Sequence, residues 1–159
     1  MATKTRTSLE AFLAMEETKP YRELIDGEVV EKPMPNPEHS ALVVRFIMVL
    51  STYLQASREA RVDTELRHLQ RDEERLYLPD ISVTLRSRFP VGQRTGPVGV
   101  VPDIAIEVLS PDDRTGRVLE RIAFYQRAGA TLTWIVDPDA ETVTVYRPGE
   151  IPAVLRAPA

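Results

Sequence analysis

The sequence predicts an α/β fold: one mixed, twisted β-sheet flanked by two main helices. Three observations predict it. Leu42, Phe46, Val49, Leu50 and Tyr53 recur at three- and four-residue spacing, the period of a helix. Stretches 76–85, 101–109, 132–136 and 142–146 are apolar, rich in β-branched residues and of strand length. Between the second and third of these, a polar segment beginning at Ser110 has helical spacing and ends at Gly129, a residue suited to a C-cap.

The elements follow in order. Thr7-Ser8-Leu9-Glu10 opens a short helix, with Thr7 or Ser8 as the cap and Leu9, Phe12 and Leu13 on one face. Pro20 ends that segment. Asp26-Gly27 between two alternating stretches marks a hairpin, because its tight turn requires positive φ. Asn36-Pro37 places a cap and then a proline in the first turn of a helix over 37–57, read as the central buried helix. Strands are expected over 61–69 and 76–85, a Gly/Pro loop over 89–99, a buried strand over 101–109 and a helix from Ser110-Pro111-Asp112-Asp113 to about Ala128. A closing strand pair surrounds Asp137-Pro138-Asp139. The chain is expected to form one domain over 1–159, with its core at about 8–148.

Composition removes several functional classes. There is no cysteine among the 159 residues, so disulfides, thiolate zinc sites, iron–sulfur clusters and thiol catalysis are excluded. The two histidines, His39 and His68, are too few for a His-rich zinc site. A net charge of −4 excludes a general basic coat, so any nucleic-acid contact must come from a local stripe. The start of the chain lacks the apolar stretch of a signal peptide, and no apolar run is long enough to span a bilayer; a cytoplasmic protein with no membrane contact is expected. The lysines are Lys4, Lys19 and Lys32, so a mechanism needing a lysine beyond that point is excluded.

Two acids break the pattern of their strands. Asp80 lies in Leu-Pro-Asp-Ile-Ser-Val and Glu107 in Ile-Ala-Ile-Glu-Val-Leu. Burying an unpaired carboxylate costs several kcal/mol, so an arginine, backbone donors or a metal ion must compensate. A structural ion pair and a divalent metal site are both open at this point. Two carboxylates, a carbonyl and waters make a hard-oxygen set for Mg²⁺ or Mn²⁺. Asp103 also follows a proline, but four residues along a strand separate it from Glu107 by about 13 Å. Asp80 starts its strand and Glu107 lies near the end of its own, so antiparallel neighbours would bring the two together. Asp103 reads as a strand-entry residue or ion-pair partner. Arg114, Arg117 and Arg121 form a stripe on the following helix, with Asp113 four residues before Arg117. Arg121 borders the apolar face made by Val118, Ile122 and Tyr125, close enough to reach the neighbouring strand end.

The ordered set Glu-Leu-Ile-Asp-Gly-Glu (23–28), Pro-Glu-His (37–39), Leu-Pro-Asp-Ile (78–81) and Pro-Asp-Ile-Ala-Ile-Glu-Val-Leu-Ser-Pro (102–111) resembles the Uma family of restriction-endonuclease-like proteins. Arg121-Ile-Ala-Phe-Tyr125 and Trp134-Ile-Val-Asp-Pro138 continue the match. The resemblance implies a PD-(D/E)XK nuclease fold, Mg²⁺ or Mn²⁺ as cofactor, and nucleic acid, DNA first, as the partner of a homodimer. It implies Asp80 as the metal-binding aspartate and Glu107 as the acid of the (D/E)XK element. The lysine of that element would fall at Leu109; members of the family carry it on the following helix, where this chain has Arg121. Arginine stays protonated and cannot be a general base, but it supplies fixed charge. Glu28 and His39 match further family positions, Glu28 as another ligand or supporting acid and His39 as a structural hydrogen-bonder. Arg114 and Arg117 are placed to contact substrate phosphates.

The sequence thus points to a metal-dependent phosphodiesterase with Asp80, Glu107 and Arg121 at its centre. The alternative is a weakened nuclease-fold module that binds or regulates nucleic acid. A third reading, a carboxylate-pair glycoside hydrolase, is disfavoured by the strand burial and the arginine stripe, which suit phosphate instead. The loop over 89–99, with Arg88 and Arg94, is a further place to expect substrate contact.

Overall fold

The computed structural model describes residues 6–111 and 113–156. Asp112, part of the expected helix start, lies outside them. Ser8 caps α1 (Leu9–Leu13) by accepting from the Ala11 amide. β1 (Arg22–Ile25) and β2 (Glu28–Glu31) form the expected hairpin, with Asp26 at φ 51° and Gly27 at φ 75°. The Asn36 side chain accepts from the His39 amide and starts α2 (Pro37–Leu54). Four short strands follow: β3 (Ala60–Thr64), β4 (His68–Gln70), β5 (Arg75–Tyr77) and β6 (Ile81–Leu85). Then come β7 (Ile104–Val108), α3 (Thr115–Ala128), β8 (Leu132–Asp137), β9 (Thr142–Tyr146) and β10 (Ala153–Arg156).

The α/β class holds, but the strands divide between two sheets. The smaller runs β2-β1-β5-β4 and the larger β10-β9-β8-β7-β6-β3. The expected strands over 61–69 and 76–85 each contribute to both. The second breaks at Leu78-Pro79-Asp80, where proline has no amide for a ladder and the chain passes from the small sheet into the large one. The first breaks at Glu65, which takes φ 50°. Hydropathy alone reads both crossings as continuous strand.

Helices pack in three places. α1 lays Leu9 and Phe12 on Leu24, Leu69 and Leu76 of the small sheet. α3 buries Phe124 and Tyr125 against Ile25 and Tyr77 of the small sheet and Ala105 of the large one, so it ties the two together. Its crossover joins β7 to β8 in parallel. α2 lies on the other face of the large sheet, where Leu42, Val43, Phe46, Ile47 and Leu50 pack on Ile81, Ile106, Val108 and Val136. This corrects the expected central buried helix. No α2 residue is fully buried, and Val44, Met48, Val49 and Tyr53 are exposed on its outer side. The helix has more apolar residues than its packing face can use. The tail also gains structure, since β10 pairs with β9 along its length. Among the described residues no helix is long and apolar enough to cross a membrane.

His68 is buried in β4 and joins that strand to the chain before β7. Its ring Nδ1 lies 2.6 Å from the Val100 carbonyl, which fixes Nδ1 as the donor. Burial pushes its pKa down to about 4, against a smaller upward pull from the Val100 carbonyl. The unfolded chain therefore takes up a proton at higher pH than the folded one. Stability linked to His68 is fully present above the ordinary histidine pKa and is lost as pH falls towards about 4. Within that window the loss approaches about 1.4 kcal/mol per pH unit. Urea denaturation of wild type and His68→Gln across pH 4 to 7 should show the wild-type curve falling more steeply; parallel curves would exclude His68 as the source.

Candidate metal and phosphate cleft

The site forms where the two sheets and the start of α3 meet. β6 and β7 are antiparallel with Ile81 opposite Ile106, and the same register continued one step sets Asp80 opposite Glu107. Ile81 and Ile106 pack under α2, so Asp80 and Glu107 face the other way, towards α3 and the small sheet. Beyond Ile81 the ladder stops, and the Val108 amide donates instead to Asp80 Oδ2 at 2.8 Å. Glu107 lies near the carboxyl end of β7, and the loop from there leads to the first turn of α3. A crevice at the carboxyl end of a parallel pair is the usual binding position in an open α/β sheet.

A cleft of about 260 Å³ opens there, lined among others by Lys32, His39, Asp80, Glu107, Arg114, Arg117 and Arg121. Its charged side chains form two linked clusters. In the first, Lys32 Nζ donates to Asp80 Oδ1 and to the Leu78 carbonyl, each at 2.7 Å. His39 Nε2 lies 3.0 Å from Asp80 Oδ2. In the second, Arg121 donates to Glu107 Oε2 at 3.1 Å and to Glu23 Oε2 at 2.5 Å. The Tyr125 hydroxyl donates to Glu107 Oε1 at 3.1 Å, and the Leu78 amide to Glu23 Oε1 at 2.9 Å.

Three buried carboxylates, Glu23, Asp80 and Glu107, thus face two fixed cations, Lys32 and Arg121. Burial raises the pKa of Asp80, but Lys32 and His39 outweigh it and hold the group well below the usual carboxylate range. Burial also raises Glu107; the Arg121 charge opposes, the Asp80 charge adds, and the net shift is upward. Lys32 is raised: burial works against its charge, and Asp80, Glu107 and Glu23 more than restore it. His39 is raised chiefly by its hydrogen bond to Asp80.

The structure gathers Asp80, Glu107, Arg121 and His39 at one place, with Arg114 and Arg117 on the cleft wall. Arg121 projects to Glu107, as the border position on α3 suggests. Asp103 lies elsewhere, at the entry of β7, where it accepts from the Leu85 amide at 2.7 Å and from Arg88 at 2.5 Å. Glu28 sits beside the hairpin turn at the edge of Arg117's reach, 4.0 Å away. Asp113 accepts from the Ser110 amide. The loop over 89–99 does not contribute to the cleft lining.

Two members were not found in the sequence. Glu23 follows the face of Ile25, opposite to Leu24, and so points at α3; alternation within β1 carries that signal, but its partner is 98 residues away. Lys32 directly follows β2, and nothing near it in the chain marks Asp80 as its partner.

The chain is similar to known proteins in sequence and in fold. The sequence profile of the Uma2 family, described as "Putative restriction endonuclease", matches residues 9–158. A crystal structure of a putative nuclease belonging to DUF820, from Anabaena variabilis ATCC 29413, is 35% identical with a TM-score of 0.85, over 95% of this chain and 85% of that one. A DrdV–DNA complex aligns with a TM-score of 0.46 and 13% identity, over 72% of this chain and 10% of that one. No curated protein matches.

Because the planar fork of Arg121 spans two carboxylates, a lysine point charge cannot replace it in both contacts. Arg121→Met should lower unfolding free energy by about 3–5 kcal/mol, the cost of leaving buried charge unpaired, and Arg121→Lys by less. Urea denaturation at pH 7 measures both. A Met variant as stable as wild type would show that the bridge contributes nothing.

Proposed function

The chain belongs to the Uma2 family, and from that premise we propose that it is a divalent-metal-dependent nuclease acting on DNA, with Asp80 and Glu107 holding the ion. The observation that carries this reading is the cross-strand pair of carboxylates in a cleft whose wall bears Arg114 and Arg117. The residues fit an ion in two respects. Their donors are hard oxygens, suited to Mg²⁺ or Mn²⁺, and waters or substrate oxygens complete such a shell. Their two carboxylates also occupy facing positions of β6 and β7 on the floor of one cleft. Among the described residues no third acidic or histidine side chain joins these two as a ready-made metal cluster.

When bound, the ion supplies Lewis acidity and a water of lowered pKa. The chain's own groups do the rest. Arg114 and Arg117, at the start of α3, draw phosphate oxygens into the cleft, helped by the positive end of the helix. Arg121 holds Glu107 in place and adds fixed charge near the reacting phosphate; it takes no proton. His39 and the Val108 amide orient Asp80. Two copies acting together, one on each strand, would cut a duplex.

A second reading has one observation in its favour. Both oxygens of Asp80 and both of Glu107 already have partners within the chain. On that reading the cleft binds nucleic acid without cutting it.

Incubation with supercoiled, linear and single-stranded DNA in Mg²⁺, Mn²⁺ or EDTA separates the two. Nicked or linear products should form with metal and not with EDTA. Glu107→Gln should reduce the rate by about a hundredfold or more, since a ligand and its charge are lost together. Absence of cleavage with either metal, together with retained DNA binding, would establish the second reading.

A further inference from the structure

Lys32 stands in an unusual place for a residue of a metal site. Two of its three ammonium protons are used, one on Asp80 Oδ1 and one on the Leu78 carbonyl. Glu107 and Glu23 attract the same charge from further off. Its side chain is only 10% exposed. The ammonium therefore has one oxygen of Asp80 directly in its grasp, in the cleft that Glu107 also lines.

We propose that Lys32 is a built-in competitor for the cation: its ammonium holds the position among the carboxylates that a divalent ion takes, and the ion enters as Lys32 leaves. This rests on the metal-site reading above. An ammonium and a divalent ion in contact with the same Asp80 oxygen would face each other at close range between largely buried side chains, where like charges repel strongly. Lysine suits displacement, because it is a compact charge on a flexible stem, whereas the planar fork of Arg121 bridges two carboxylates on different sheets.

The chain also gives the displaced side chain a second seat. Lys32 lines a neighbouring cavity of about 120 Å³, formed with Lys19, Tyr21, Met34 and Glu65. Turning of the stem out of the cleft would bring the ammonium towards this cavity, whose lining carries the Glu65 acid beside the Lys19 cation. Lys32 is thus a positioning residue with two places to rest, and the choice between them decides whether the site is closed by its own cation or open to an external one.

Calorimetric titration of Mn²⁺ into wild type, Lys32→Met, Lys32→Gln and Asp80→Asn tests the proposal, with circular dichroism confirming that each is folded. Both lysine variants should bind Mn²⁺ at least about tenfold more tightly than wild type, an easing of roughly 1.4 kcal/mol, and Asp80→Asn should lose binding. Equal or weaker binding by the folded lysine variants overturns the competitor role and leaves the metal site standing. No binding by wild type or by either variant overturns both. A second measurement needs no substitution. Lysine acetylation read by mass spectrometry has only Lys4, Lys19 and Lys32 to report on. Labelling of Lys32 relative to Lys19 should rise several-fold with saturating Mn²⁺; an unchanged ratio with the ion bound overturns the proposal.

Discussion

The fork of Arg121 is the contact on which the rest of the cleft depends. One nitrogen reaches Glu107 in the large sheet and the other Glu23 in the small sheet, while the side chain rises from the helix between them. Three layers are fixed relative to one another by a single planar group. The apolar contacts of Phe124 and Tyr125 hold α3 at the correct depth, and the guanidinium sets the alignment. Apolar packing is non-directional, whereas a guanidinium donates to its paired carboxylates only within narrow angles. The register of the two sheets is therefore set by charge and their cohesion by burial.

On the proposed function, the charge arrangement lets a chain of net negative charge present a phosphate site. The cleft wall carries Arg114 and Arg117 near the N-terminus of α3. A phosphate approaching the crevice meets these groups and a helix end first. The acids lie deeper, each in contact with a cation or a backbone amide. In that reading, ordering by depth would separate attraction of an anion at the rim from retention of a cation at the floor.

Much of this was legible in the sequence, for a definite reason. Asp80, Glu107 and Arg121 each break a local pattern: an acid in an apolar strand, or a cation at the border of an apolar helix face. Such breaks show in a window of a few residues. Glu23 and Lys32 break nothing, since a charged residue is ordinary in a half-exposed hairpin, and only the tertiary pairing gives them meaning. The same limit explains the sheets. Pro79 interrupts a run that is apolar on both sides, and hydropathy does not record that the chain has changed partners there. α2 shows the opposite failure, because it is apolar beyond the needs of its packing face, and composition was read as depth.

The crossing at Leu78 gives the site a particular kind of rigidity. The Leu78 amide is held by Glu23, and its carbonyl by Lys32. Asp80 follows only two residues later. A segment that merely connected two sheets would be free to vary like any surface turn. Here both backbone groups of one residue are already committed to cleft side chains, so the connection serves as a gauge for the spacing of the carboxylates. Insertions and deletions that a turn elsewhere would absorb would be felt at this crossing as a change in the distance between Asp80 and Glu107. Tolerance to change along this chain should therefore be lowest at an ordinary-looking leucine that carries no chemistry of its own.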